Sequence, residues 1–248
     1  MFEGILNPIF NPLLALPIFW VVLIMSFFIT LVITLIYKWT TNQDLMKQLK
    51  DEMKEFQKEM KTLRENPKRM MEVQKQSMQT NMKYMSHSMR STLFTFIPII
   101  LIFGWMTGHL GYNSLLPGQD FTTTVSLYDG ISGNAQIIVP EGITVSSGLN
   151  KTIDGSQLKW VLNGKEGSYI LEYDIAGNKY AKDITITKEQ DYAAPIKIVK
   201  DKIVKQISID NQKLIVFNLF GWKLGWLGSY IILSIIFSMI LRKLFKVY

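Results

Sequence analysis

Three long apolar runs divide the sequence into segments. The first, Ile18 to Tyr37, contains 20 residues without a charge, and as a helix it would be about 30 Å long, the thickness of a bilayer's hydrocarbon core. The second extends from Leu93 to Leu110 and the third from Leu224 to Leu241. Tryptophans lie near the ends of these runs, as is typical of membrane interfaces. The pattern predicts a multi-pass, α-helical membrane protein with three transmembrane helices.

A heptad pattern follows the first run. Two apolar series repeat every seven residues, Leu49, Phe56 and Leu63 with Met46, Met53 and Met60. This is the a/d spacing of a coiled coil. Asn66-Pro67 interrupts it as a helix N-cap followed by a first helical residue. We therefore expect two helices of about 24 residues each, about 36 Å long, in an antiparallel coiled-coil hairpin over residues 38–91.

Nine of the 13 methionines lie in this predicted hairpin. Five of them are candidates for contact with a substrate: Met71, Met78, Met82, Met85 and Met89. Methionine is flexible and polarizable, so the cluster is suited to a pliable surface that accepts varied apolar segments. The alternative is that these methionines only form the seam between the two helices.

From Gly111 onward the pattern changes to a period of two with β-branched residues and frequent turns. It predicts seven strands, at 121–128, 135–139, 143–147, 158–162, 169–175, 179–187 and 196–199. Asn163-Gly164 and Gly177-Asn178 are expected turns. Residues 111–213 should therefore form a β-sandwich-like domain. Asn150-Lys151-Thr152 is a sequon, so Asn150 is either a glycosylation acceptor or a chance match.

The formal net charge of +7 is distributed by segment. Residues 38–90 contain 12 Lys/Arg and 7 Asp/Glu, whereas residues 111–213 contain 11 and 12. The positive-inside rule then places the N-terminus and residues 111–213 outside the cell membrane, and the hairpin and C-terminus in the cytoplasm. The basic excess borders apolar segments and forms no single face, so DNA is not an expected partner.

The sequence offers no catalytic or cofactor constellation. It has no cysteine and two histidines, which excludes disulfides and thiol chemistry, and no His/Asp/Glu group has metal-ligand spacing. None of the spans contains Asp or Glu, which disfavours an intramembrane protease. The expected protein is not an enzyme and needs no cofactor. A channel would require oligomerisation, and the sequence does not indicate an oligomeric state.

The arrangement resembles the archaeal YidC-like proteins of the YidC/Oxa superfamily of membrane-protein insertases, which also includes a subunit of the eukaryotic endoplasmic-reticulum membrane complex. The matching residues are Asn11-Pro12-Leu13-Leu14, Met70-Met71-Glu72-Val73-Gln74-Lys75 and the stretch from Arg90 to Ile100, RSTLFTFIPII. The resemblance covers residues 1–110 and 214–248. The predicted elements divide the chain into an N-terminal segment with the first span (1–37), hairpin (38–91), second span (92–110), outer domain (111–213) and third span with a basic tail (214–248).

The resemblance implies that the protein is an insertase or chaperone for nascent membrane proteins, with the ribosome as a further candidate partner. A polar groove open to lipid and cytoplasm would receive the client without nucleotide. The candidates for this groove are hydroxyl residues: Ser26, Thr30, Thr34, Thr92, Thr95, Ser234 and Ser238. The alternative is that these hydroxyls bond to their own backbone or to a neighbouring helix. Bacterial relatives carry an arginine in the first span, which here is uncharged.

A second interpretation is a membrane-anchored surface protein whose β domain binds an extracellular partner. One span would be enough for such an anchor, and the hairpin would then have no assigned role.

Overall fold

The computed structural model describes residues 3–63 and 66–247. In this part of the chain five α-helices are found, together with a short 3₁₀ helix at Asn11–Ala15. The α-helices are α1 (Glu3–Phe10), α2 (Ile18–Thr40), α3 (Gln43–Thr62), α4 (Pro67–Leu110) and α5 (Trp226–Phe245). Three of them, α2, α4 and α5, are long and apolar enough to cross a membrane, so the three predicted transmembrane helices are confirmed.

Asparagine side chains begin the two helices of the predicted hairpin. The Asn42 side-chain oxygen accepts a hydrogen bond from the Leu45 amide at 3.1 Å, and Asn66 accepts one from the Arg69 amide at 3.2 Å. Such caps satisfy amides that have no partner within a helix. The predicted cap at Asn66 and the helix start at Pro67 are confirmed.

The second hairpin arm and the second span are one helix. The sequence predicted a 24-residue arm followed by a separate span, but α4 continues without a break for 44 residues. Between Arg90 and Leu93 the chain has no glycine or proline that would end a helix, and Pro98 is accommodated inside it, as spanning helices allow. A helix of this length is about 66 Å long, about twice the thickness of the hydrocarbon core.

The predicted seam of α3 is its least exposed side. Met46 and Leu49 are buried, whereas Met53, Phe56 and Met60 are half-buried. An ion pair between Arg69 of α4 and Glu59 of α3, at 3.3 Å, links the two helices near their connection. Coiled-coil packing along the pair stays a prediction.

The chain contains two compact units. One consists of the described parts of Met1–Leu6, Leu16–Gly104 and Leu227–Tyr248, and the other of Asn7–Ala15 and Trp105–Trp226. The first is helical, and the second contains the β-rich domain.

Eleven strands are found in the described residues. They are β1 (Phe121–Leu127), β2 (Gly133–Ile138), β3 (Ile143–Val145), β4 (Asn150–Ile153), β5 (Gln157–Gly164), β6 (Gly167–Ile175), β7 (Asn178–Ile186), β8 (Ile196–Ile198), β9 (Val204–Ile209), β10 (Phe217–Leu219) and β11 (Trp222–Leu224). One sheet has the order β3-β5-β1-β9-β8 and another the order β4-β2-β6-β7, while β10 and β11 form a separate hairpin. All seven predicted strands are present.

One core joins the two larger sheets. Trp160 of β5 and Tyr173 of β6 are fully buried, with ring centroids 5.8 Å apart. The hydroxyls of Thr123 on β1 and Tyr173 are 2.6 Å apart, so two buried polar groups satisfy each other across the sheets. The domain is therefore a β-sandwich.

The expected turns differ in detail from the observed ones. Asn163-Gly164 ends β5, and the chain then passes from one sheet to the other to begin β6, so this pair does not form a hairpin. In the β6–β7 hairpin Ile175 pairs with Asn178. The two loop residues are thus Ala176 and Gly177, which have φ values of 50° and 81°, as a type I′ turn requires.

The polypeptide chain enters and leaves the β-sandwich at neighbouring positions. Tyr112 and Lys213 form an antiparallel bridge, and the Asn113 amide donates to the Gln212 carbonyl at 2.8 Å. About 100 residues therefore lie between two adjacent points of the backbone, since bridged residues are about 5 Å apart.

Candidate functional site

Aromatic contacts hold α5 against the other two long helices. Phe27 of α2 and Phe237 of α5 meet edge to face with ring centroids 5.4 Å apart. Phe103 of α4 meets Tyr230 of α5 in the same geometry at 4.8 Å. This is the orientation that the ring quadrupoles favour. The three helices thus pack as a bundle.

A polar cluster joins the same helices through residues that the sequence analysis did not select. Tyr37 of α2 is hydrogen-bonded to Tyr84 and Ser88 of α4. The guanidinium of Arg242 on α5 lies over the Tyr37 ring, 5.4 Å from its centroid. Cation–π contact of this kind stabilises an arginine beside an aromatic face. The four-residue spacing of Tyr84 and Ser88 is the signal from which this cluster could have been found.

Three candidate groove residues line the buried side of α2. Ser26, Thr30 and Thr34 are all buried. Their hydroxyls donate to the carbonyls four residues earlier, at 2.6 Å for Ser26, 2.6 Å for Thr30 and 2.7 Å for Thr34. This is the backbone bonding that the packing alternative expects. A groove formed by these hydroxyls stays a prediction.

One side of α4 is buried along most of its length. Buried and half-buried residues recur every three or four positions: Met70, Val73, Ser77, Thr80, Tyr84, Ser88, Ser91 and Thr95. We call this set the buried stripe of α4. Most of its members are small or hydroxyl-bearing, which allows helices to approach closely. Ser91 is notable because its buried hydroxyl has no hydrogen-bond partner among the described residues.

The opposite side of α4 is an exposed apolar stripe. The five candidate methionines are between 54% and 68% exposed, and Leu93, Phe96 and Ile100 continue the same three- and four-residue spacing at 71%, 59% and 56% exposure. At 100° per residue these eight side chains share one side of the helix. We call them the methionine face. Exposure at this level does not fit the alternative that these methionines form the seam between the hairpin helices. Their contact with a substrate stays a prediction.

The remaining groove candidates are not brought to one surface. Thr92 is exposed, with its hydroxyl 3.3 Å from the Ser88 carbonyl, whereas Thr95 is buried and donates to the Thr92 carbonyl at 2.9 Å. Ser234 and Ser238 are half-buried on α5, and Ser234 donates to the Ile231 carbonyl at 2.9 Å. The hydroxyls of Thr92, Thr95 and Ser234 thus also bond within their own helices.

The β-sandwich carries a concavity and the predicted glycosylation acceptor. Asn150 is the exposed first residue of β4, and its modification stays a prediction. A cavity of about 640 Å³ is lined by Thr144, Asn163, Lys165 and Glu166 among others. The Asn163 side-chain amide is held by the Gly118 carbonyl and the Asp120 carboxylate, at 2.8 and 2.9 Å.

Ionisable groups of the β-sandwich serve local structure. Burial acts to raise the pKa of the Asp201 carboxyl, but hydrogen bonds from the Tyr180 hydroxyl and from the Ile203 and Val204 amides outweigh it and hold that pKa below its usual value. Burial lowers the pKa of Lys182, whose ammonium donates to the Asp183 carbonyl at 2.6 Å. Within the described residues no three His, Asp or Glu side chains come together as a metal site.

Three helices are long and apolar enough to span a membrane, and the exposed apolar side of one of them is longer than the hydrocarbon core is thick. These features define a multi-pass integral membrane protein. Residues 3–127, just over half of the chain, match the family model "Integral membrane protein EMC3/TMCO1-like". The chain belongs to this family, which is part of the Oxa1/YidC/Alb3 insertase superfamily. The matched region contains all of α4, so both the buried stripe and the methionine face lie in the part that defines the family.

No curated protein matches the chain significantly. No solved structure does either.

Proposed function

We propose that the protein is an insertase or chaperone of the archaeal YidC-like kind, which helps newly made transmembrane segments enter the cell membrane. The observation that carries the proposal is the methionine face. From Met71 to Ile100 it extends over about 44 Å of one uninterrupted helix. Its C-terminal part, Leu93 to Ile100, belongs to an apolar span, and its N-terminal part, Met71 to Met89, extends beyond that span.

The proposed orientation follows the distribution of Lys and Arg. With α3 and the first part of α4 in the cytoplasm, the methionine face begins where a nascent chain leaves the ribosome and ends within the bilayer. The N-terminus and the β-sandwich then lie outside, and the tail with Arg242 and Lys243 lies inside.

The methionine face would hold an apolar client segment before it reaches lipid. Each exposed methionine offers an unbranched side chain that adapts to different partners, so contact does not require a particular client sequence. Burial of client surface stabilises the complex by about 25 cal/mol per Å². The client then stays in contact with apolar side chains as it moves along α4 toward Leu93 and Phe96.

The hydroxyls of the helix bundle would help polar residues of the client to cross the bilayer. A charged residue at the bilayer centre costs about 2.5–3.5 kcal/mol on insertion scales. Ser26, Thr30 and Thr34 on α2, with Ser91 on α4, place hydroxyls within the apolar part of the bundle. The transfer of the client's apolar span into lipid drives the step, so the mechanism requires no nucleotide or other cofactor.

The proposal is tested by site-specific photocrosslinking with stalled ribosomes that expose a nascent transmembrane segment. A crosslinker at Met78 should react with the nascent chain. A crosslinker at Gln76 is the matched control, because this residue is also exposed but lies about 160° away around α4. Equal yields at the two positions, or none at Met78, would contradict the proposal.

A second candidate function is that of an anchored surface protein that binds an extracellular ligand, and the cavity beside Asn163 and Lys165 favours it. The bridge between Tyr112 and Lys213 permits a clean test. Residues 114–211 can be replaced by a short Gly-Ser linker, since Asn113 and Gln212 are already hydrogen-bonded. Retained insertion of a single-span client by this variant supports the insertase, and its complete loss supports a role for the β-sandwich.

A further inference from the structure

The β10–β11 hairpin ends in the most exposed aromatic residue of the described chain. Phe220 is 101% exposed and Trp222 is 74% exposed. The two strands pair from Phe217 with Leu224 to Leu219 with Trp222, so Phe220 and Gly221 form a two-residue turn. Neither aromatic side chain therefore contributes to the packing of the domain.

The turn places Phe220 in an unfavourable backbone conformation. Its φ is 50° and that of Gly221 is 94°. The β6–β7 hairpin has nearly the same conformation, but with Ala176 at the first position. A left-handed conformation favours glycine, asparagine or a small residue, and it is disfavoured for a bulky side chain. Phe220 thus has a strained backbone and a fully exposed side chain, and it does not stabilise the fold. This indicates that the side chain contacts something other than the rest of the domain.

The β10–β11 hairpin lies close in the chain to the ends of two spanning helices. Leu224 ends β11, and α5, a membrane-spanning helix, begins at Trp226. Before the hairpin, the Leu214 amide donates to the carbonyl of Gly111 at 3.2 Å, and Gly111 directly follows α4. The base of the hairpin is thus fixed within a few residues of the ends of two helices that are long and apolar enough to span a membrane, where the surface of a bilayer would lie.

The dimensions and chemistry of the hairpin suit that surface. Three-residue strands extend about 10 Å, which is comparable to the depth of about 5–10 Å at which amphipathic elements lie in a bilayer interface. Phenylalanine and tryptophan are residues that partition into this layer. Lys223 is exposed beside them, and its long side chain can reach the phosphates of the headgroups.

We propose that the β10–β11 hairpin is a membrane anchor, whose tip at Phe220 and Trp222 inserts into the lipid headgroup and upper acyl region next to α5. It fixes the β-sandwich to the bilayer surface on the side where α4 ends and α5 begins. The partner is the lipid itself, so no protein ligand is required.

The test uses the full-length protein in phosphatidylcholine nanodiscs. Because the chain contains no cysteine, Asn218→Cys permits a fluorescent NBD label beside the tip with both aromatic residues retained. Ile198→Cys is the matched control, since Ile198 is 74% exposed on strand β8 of the same domain and Asn218 is exposed too. Nitroxide-labelled phosphatidylcholine should quench about half of the emission at position 218 and little at position 198, because quenching requires contact with the interface.

A second comparison separates insertion of the tip from mere closeness to the membrane. Phe220→Ser together with Trp222→Ser should reduce quenching at position 218 to the level of position 198. The proposal is overturned if the two labels are quenched equally in the otherwise unchanged protein. It is also overturned if the label at 218 is quenched to the same extent in the double-serine variant. A label at 218 that is shielded from water in the otherwise unchanged protein, but is not quenched by nitroxide lipid, would overturn it as well.

Discussion

Apolar side chains are buried in the β-sandwich but exposed along one side of helix α4. In the sandwich, apolar residues alternate and face inward, as in β1, where every second residue from Phe121 to Leu127 is buried. Between Met71 and Ile100 of α4, most of the larger apolar residues face outward, and the buried stripe contains serine, threonine and tyrosine. Burial of apolar surface stabilises the sandwich, whereas the methionine face of α4 stays exposed and available to bind another molecule. On this contrast the proposed function belongs to the helical unit, and substitutions in the two regions should differ in their effects.

The largest effect is expected in the sandwich core. Trp160→Ala removes a fully buried side chain and should lower the free energy of unfolding by about 3–5 kcal/mol. The measurement is thermal unfolding in mild detergent, followed by near-ultraviolet circular dichroism. Trp222→Ala, which removes the same side chain from an exposed position, should change the stability by about 0.5 kcal/mol or less. Similar losses in the two variants would contradict the assignment of the core.

The two sides of α4 should respond differently to the same kind of change. Val73 is buried, so Val73→Gln should destabilise the helical unit by about 2–3 kcal/mol through burial of an amide. Met78→Gln with Met82→Gln and Met85→Gln should leave stability nearly unchanged but weaken client crosslinking by about tenfold or more, because apolar contact area is lost.

Unfolding in urea and crosslinking to stalled nascent chains measure these two effects. The distinction between the two sides fails if the triple methionine variant unfolds as readily as Val73→Gln, or if it binds clients normally.

A smaller effect is expected where the bundle buries a hydroxyl. Ser91→Ala should raise the free energy of unfolding by about 1 kcal/mol, because it removes a buried polar group that has no partner in the described chain. Thr30→Val is the control, since the Thr30 hydroxyl bonds to the Ser26 carbonyl and its removal should bring no gain. If Ser91 lines the proposed groove, Ser91→Ala will also slow insertion of clients with a polar residue in the span. A destabilised Ser91→Ala protein would show that the hydroxyl is satisfied.

The smallest effect is a dependence of the sandwich on pH. The pKa of Asp201 is held below its usual value by the hydrogen bonds to its carboxylate. Its contribution to stability is therefore fully present above the unfolded pKa of about 4 and is lost as the pH falls through the lower folded pKa. Asp201→Asn should reduce the loss of melting temperature between about pH 6 and about pH 3. The exposed Asp154→Asn is the control for removing one negative charge.

The sequence predicted the spans because runs of 18 to 20 apolar residues have few alternatives. It did not predict that α4 is continuous, since a change from polar to apolar composition suggests a boundary even where the backbone has none. The buried stripe was missed for a related reason. Ser77, Thr80, Ser88 and Ser91 repeat with helical spacing but are polar, so a search for apolar heptads selects the methionines instead.

The strands missed in the sandwich also have physical reasons. Asn150–Ile153, β4, contains polar residues that are tolerated at the edge of a sheet. In β9 the register with β1 shifts between Ser126 and Leu127, so that Lys205 is the extra residue of a β-bulge. The bulge interrupts the alternation of Val204, Ile207 and Ile209, and a period-two search then fails.

The bridge between Tyr112 and Lys213 has an evolutionary consequence. A module whose first and last residues are neighbours can be enlarged, exchanged or discarded by recombination, because the gap that any replacement must close stays the same short distance. Selection can thus act on the β-sandwich of such a protein and on its spanning helices separately.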